Sequence, residues 1–174
     1  MKLFTLMLDK ALPGRLVKVV ADWYGKTASF VKWNGCYSES CVFKSGIRQG
    51  GILLPALFNI YTDVLLNALQ ESDYSCHLGQ KYVGCIAYAD DIIVLSASIS
   101  GLQCRLNICY NKGAELYIIF NADKSCLYKI SKICNKPIDD LVIGDEAVKW
   151  FDKLKYLGLH FCCHKQLIID IYCT

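Results

Sequence analysis

The sequence predicts an α+β fold, an antiparallel sheet with helices packed on one face. Three observations predict it. Apolar residues recur at helical spacing in four separate segments. Two pairs of short apolar runs are each joined by a dipeptide suited to a tight turn. The segments follow one another as helices, hairpin, helix, hairpin, helix and strands, so like elements cluster instead of alternating singly. At 174 residues the chain fits a single domain with a substantial core.

Residues 2–12 place Leu3, Met7 and Ala11 at helical spacing before "LPG" stops the turn, and Arg15 to Tyr24 starts a second helix with Leu16, Val19, Val20 and Trp23 on one face. "ASFVKWNGCYSESCVFK" reads as strand, Asn34-Gly35 turn and strand, because Asn-Gly supplies the two positive φ angles of a tight hairpin turn. "SGIRQGG", Ser45 to Gly51, is a glycine loop. Pro55 suits the first position of the following helix, whose stripe is Leu57, Ile60, Tyr61, Val64, Leu65 and Ala68. Leu54 before it is a poor cap, at a cost of about 1 kcal/mol.

Val83 to Ala89 and Ile92 to Ala97 are apolar runs separated only by Asp90-Asp91, a second hairpin with carboxylates at its tip. A helix follows with Leu102, Leu106 and Cys109 inward and Gln103, Arg105 and Asn107 outward. Then come a strand "LYIIF", a turn "NADK", and two or three short strands in "LVIGDEAVKWFDKLKYLGLHF".

The hydrophobic fraction is 54%, yet no unbroken apolar span reaches the ~18 residues that cross a bilayer. The best stretch, Gly51 to Leu69, is cut by Pro55, Asn59 and Asp63, and Asp9 interrupts the start before a signal peptide could form. The expectation is an intracellular protein, nuclear or cytoplasmic, with no membrane partner. Eleven cysteines, odd in number and scattered through apolar segments, read as reduced core residues. The one zinc candidate, "HFCCH" from His160 to His164, lacks paired Cys-x-x-Cys spacing, so small core residues are the preferred reading. A net charge of +3 permits a nucleic-acid partner without announcing one.

Two adjacent carboxylates repel each other, and strands disfavour Asp. A solvent-facing turn tolerates them. A divalent cation removes the cost altogether, since Mg²⁺ takes one or two protein carboxylates and completes its shell with water and phosphate. That is the donor set of two-metal phosphoryl transfer.

Four blocks, "GIRQGGILLPALFNIYTDVLLNAL", "VGCIAYADDIIVLSAS", "GLQCRLNICYNKGAELYIIFNADKS" and "KLKYLGLHF", stand in an order and spacing that resembles the reverse transcriptase domain of non-LTR retrotransposons. The resemblance covers nearly all of residues 2–161. It implies an RNA-directed DNA polymerase working by two-metal nucleotidyl transfer with Mg²⁺ or Mn²⁺, on an RNA template, a DNA primer and deoxynucleotides. Asp90 would be a metal ligand of the palm with Asp91 in support. Strand alternation sends the two to opposite faces, which favours Asp90. Gln49 would contact the template base or incoming nucleotide, Gly50 and Gly51 would let backbone approach the substrate, and Arg48 would meet template phosphate or a surface carboxylate. Lys124 would protonate the departing pyrophosphate, a general-acid role. Tyr156, Leu157 and Gly158 would form the turn that holds the primer's 3′ end.

The resemblance also implies another aspartate on an earlier strand ending in a Phe-Asp pair, expected upstream of Met1 together with the fingers. Asp9 and Asp22 do not substitute, since both read as helix. The expected architecture is therefore a polymerase-palm-like sheet truncated at its N-terminus. Residues 1–161 form the partial reverse transcriptase domain of palm and primer-grip hairpins, and 162–174 a divergent apolar tail where the family continues into a basic thumb helix. This 174-residue chain is expected to be inactive alone. A non-catalytic nucleic-acid or protein-binding remnant, or a decayed reading frame with an exposed sheet edge, are the competing readings.

Overall fold

The computed structural model describes residues 2–42, 51–130, 139–162 and 168–170. The chain divides into two compact units, Met1–Val64 and Leu65–Thr174.

The first unit contains α1 (Lys2–Asp9), α2 (Gly14–Gly25), β1 (Ala28–Ser29), β2 (Lys32–Trp33), β3 (Cys36–Tyr37), β4 (Cys41–Val42) and the start of α3 (Leu54–Gln70). Helix α1 stops early because Ala11 turns left-handed at φ 57°. Its N–H then bonds to the Leu8 carbonyl at 2.8 Å and the Leu12 N–H to the Met7 carbonyl at 3.1 Å, a Schellman stop. Lys10 pairs with Asp63. Met7, Val17, Val20 and Leu57 make the core, with Leu3, Phe4, Leu12, Tyr24 and Ile60 against it. The inward face of α2 is thus Val17, Val20 and Tyr24, and the predicted Leu16, Val19 and Trp23 are exposed. Apolar residues cover more than half of this helix's circumference, so periodicity alone could not choose the face. The Asn34-Gly35 hairpin is as predicted: both residues have positive φ, 50° and 83°, β2 pairs β3, and β1 pairs β4 outside them.

The second unit contains the rest of α3, β5 (His77–Leu78), β6 (Lys81–Tyr82), β7 (Cys85–Tyr88), β8 (Asp91–Val94), α4 (Ile99–Leu116), β9 (Cys126–Leu127), β10 (Leu141–Ile143), β11 (Glu146–Trp150), β12 (Lys153–Tyr156), β13 (Leu159–Cys162) and β14 (Ile168–Asp170). Its core gathers Leu106, Ala122, Leu127, Leu141, Ile143 and Val148 under Leu102, Phe120 and Trp150. Each Leu, Ile or Val of this core taken fully from water contributes about 1.5–3 kcal/mol.

Helices and strands mix as expected, but among the described residues the strands form six short sheets instead of one. Among the described residues pairing is antiparallel except between β9 and β11. The expected strand "LYIIF" is absent. Helix α4 runs on to Leu116 and stops at Tyr117, left-handed at φ 56°, while Ile118 to Phe120 are irregular. The β-branched and aromatic run there satisfies strand propensity, but the Schellman bond from the Ile118 N–H to the Gly113 carbonyl at 2.8 Å ties its start back onto the helix.

Candidate active site

Hairpin β7–β8 carries the paired aspartates, one residue away from the register the sequence suggests. Tyr88 pairs with Asp91, Ala87 with Ile92, Ile86 with Ile93 and Cys85 with Val94, so the two-residue turn is Ala89-Asp90 and Asp91 opens β8. Ala89 takes φ 51°, a left-handed conformation that costs a non-glycine residue about 1–2 kcal/mol. Asp90 and Asp91 are both exposed, and among the described residues neither forms a salt bridge. Two hard oxygen donors with uncompensated charge and open solvent around them fit a water-rich divalent cation. No group of three or more metal-capable side chains occurs among the described residues.

The "YLG" segment closes hairpin β12–β13, with Tyr156 paired to Leu159 and both turn residues at positive φ, Leu157 at 48° and Gly158 at 83°. The Tyr156 hydroxyl is shielded from solvent and has no hydrogen-bond partner among the described residues. Its pKa is raised, first by burial, then by the carboxylate of Asp91 and the thiol of Cys85. These two predicted site segments therefore lie within electrostatic reach of each other.

Lys124 is exposed in a turn built by Asn121, whose side-chain oxygen accepts from the Lys124 N–H at 3.0 Å. Among the described residues its side chain is bonded to neither aspartate. Arg48, Gln49 and Gly50 lie outside the described residues. Gly51 is half-buried, accepts from the Leu54 N–H at 3.0 Å and lines a small hollow with Trp23, Tyr24, Thr27, Leu53 and Leu54. The zinc candidate falls partly outside as well: His160 is half-buried in β13, whereas Cys163 and His164 are not described.

Sequence reasoning misplaced two residues of α4, Arg105 and Gln103. Arg105, predicted to face outward, is fully buried, at 0% exposure. Its Nη1 donates to the carbonyls of Leu69 at 3.2 Å and Tyr74 at 3.1 Å, and its Nη2 to the Tyr82 hydroxyl at 2.7 Å and the Gly84 carbonyl at 2.9 Å. Gln103, also predicted outward, turns to β10: its amide donates to the Val142 carbonyl and accepts from the Val142 N–H, both at 2.9 Å. A signal for Arg105 was present, since it stands three residues after Leu102 and four before Cys109, on the apolar stripe itself.

Residues 3–161 match the family described as reverse transcriptase (RNA-dependent DNA polymerase). The chain is 28% identical over 157 residues to the Retrovirus-related Pol polyprotein from type-2 retrotransposable element R2DM of Drosophila melanogaster, covering 86% of this chain and 15% of that protein. It is 37% identical over 62 residues to the Retrovirus-related Pol polyprotein from type-1 retrotransposable element R2 of Nasonia vitripennis, covering 36% of this chain and 6% of that one. No described helix is long and apolar enough to cross a membrane. The chain belongs to the reverse transcriptase family, as a domain of the kind encoded by non-LTR retrotransposons.

Proposed function

We propose that the chain is a palm-like portion of an RNA-directed DNA polymerase, in which the β7–β8 hairpin carries the catalytic carboxylates. The observation that carries this reading is the pair of exposed aspartates on a tight turn, without a salt bridge among the described residues, of which Asp91 is close enough to Tyr156 to perturb its phenol. Asp90 and Asp91 would hold Mg²⁺ or Mn²⁺, and such cations, when bound, neutralise the attacking and leaving oxygens of the phosphoryl transfer.

The remaining roles follow the chemistry of each residue. Tyr156, Leu157 and Gly158 orient the end of a DNA primer. Lys124, exposed to solvent, delivers a proton to the pyrophosphate leaving group. Gln49, Gly50 and Gly51 meet the incoming deoxynucleotide and Arg48 the RNA template, through hydrogen bonding, close backbone approach and charge respectively.

Among the described residues the adjacent aspartates stand on one hairpin, β7–β8, and the chemistry calls for a further carboxylate from another strand. Electrostatic preorganisation supplies most of the rate in phosphoryl transfer. The chain by itself should therefore extend no primer.

Primer extension on an RNA template in Mg²⁺, with Asp90→Ala alongside, tests both parts. No extension by either form is expected. Extension that disappears in Asp90→Ala would uphold the role of Asp90 and overturn the inactivity. Extension equal in both forms would overturn the assignment of Asp90.

A further inference from the structure

Arg105 has no carboxylate partner among the described residues. It is a guanidinium sealed from water and held by three backbone carbonyls and one phenol. Four of its five N–H donors are used, and Nε has no partner among the described residues. A charge buried among neutral acceptors is costly to maintain, so the interest lies in what those acceptors have in common.

They converge on one place. Leu69 is at the end of α3, Tyr74 is in the following loop, Tyr82 ends β6, and Gly84 immediately precedes β7. The Gly84 carbonyl also accepts from the Leu95 N–H at 2.8 Å, which closes the open end of the β7–β8 hairpin. One lone pair of that oxygen thus joins the two strands and the other takes the guanidinium. Gly84 is packed so closely that an added Cβ would stand 2.7 Å from Tyr82 Cε2 and 2.9 Å from Arg105 Nη2. The hairpin is pinned at its root while its tip, with Asp90 and Asp91, stands in solvent.

We propose that Arg105 is a positioning residue for the carboxylate hairpin, fixing the root of β7 on α4 and thereby the place of Asp90 and Asp91; this rests on the reading of those aspartates as the catalytic pair. The guanidinium is suited to the task because its rigid planar fork reaches four acceptors on four segments at once. A lysine ammonium on a flexible stem cannot span the same set.

Helix α4 provides its own control, because it also holds β10 through Gln103. Hydrogen exchange would be compared between residues 85–95 and 141–150 in wild type, Arg105→Lys, Arg105→Met and Gly84→Ala, at a temperature where each remains folded. The expected result is exchange faster by roughly tenfold or more in residues 85–95, the scale set by one hydrogen bond to a charged group, with residues 141–150 unchanged. Equal acceleration of both segments, or none, would overturn the proposal, because it would make Arg105 a general packing element of α4. Should Arg105→Met fail to fold, Arg105→Lys and Gly84→Ala, which disturb the same contact from its two sides, decide the matter.

Mn²⁺ binding in the same samples, followed by electron paramagnetic resonance, keeps the two readings apart. Binding by wild type that is abolished in Asp90→Asn and weakened severalfold in Arg105→Lys supports the link from root to tip. Absence of Mn²⁺ binding in wild type would sink the metal reading of the aspartates, while the exchange comparison would still decide the role of Arg105 at the hairpin root.

Discussion

The phenol of Tyr156, at the end of β12, feels the carboxylate of Asp91, the first residue of β8. This relationship joins the strand end that leads into the Leu157-Gly158 turn to the hairpin of the paired aspartates. It makes the charge of one segment readable from the other.

Asp91→Asn should lower the pKa of Tyr156 toward its ordinary value of 10.0 without reaching it, because burial, the largest cause of the rise, remains. Asp90→Asn should shift it less. The check is a titration of the Tyr156 ring by carbon-13 NMR in the three proteins. An unchanged Tyr156 in Asp91→Asn would separate the two segments.

Gln103 completes the hydrogen bonding of Val142 as a neighbouring strand would, donating to its carbonyl and accepting from its N–H. Gln103→Leu leaves both backbone groups without a partner. The expected loss is about 1–3 kcal/mol, read as a lower urea midpoint with an unchanged slope. By contrast, Lys112→Ala, which breaks only the exposed pair with Glu115, should change stability by less than about 0.5 kcal/mol.

The contrast between these two residues shows what the sequence made legible. Hairpins announced by turn chemistry were readable: Asn34-Gly35 takes the conformation its residues favour. The aspartate hairpin was readable as a hairpin but not in register. Asp-Asp satisfies turn propensity as well as Ala-Asp does, and what decides is the ladder from Cys85↔Val94 to Tyr88↔Asp91. Arg105 and Gln103 were placed outward because charged and amide side chains are usually solvated. Their acceptors are backbone groups of remote segments, which only the folded chain assembles. Of the candidate site, the aspartates and the "YLG" turn were visible in the sequence, whereas the fixture at the hairpin root was not.

Leu157 occupies the first position of its turn at φ 48°, a conformation that is an outlier for a bulky side chain. Its side chain is also 53% exposed, so little packing would be lost on replacing it. Asn34-Gly35 shows the same pair of angles with the favoured residue in front. Leu157→Asn should therefore raise stability by up to about 1 kcal/mol, measured by thermal unfolding. A lower melting temperature would mean that Leu157 packs against something that the turn geometry alone does not reveal.

Cys109 gives the chain an alkaline limit. Its thiol lies in the core at 3% exposure, and burial pushes its pKa up from 9.0 to about 12, with Cys85 adding to the rise and Arg105 opposing it. Between those values the native state keeps a proton that the unfolded state has released. Stability is therefore retained in full below about pH 9 and falls as pH rises toward 12, with a slope of at most about 1.4 kcal/mol per pH unit from this thiol. Tyr74, Cys85, Cys126 and Tyr156 are shifted in the same direction and leave a residual slope. Urea unfolding at pH 8, 9, 10 and 11 should show the decline in wild type and a shallower one in Cys109→Ala, whose side chain has no proton to lose. Parallel limbs in the two proteins would place the alkaline sensitivity in other groups and leave Cys109 without a part in it.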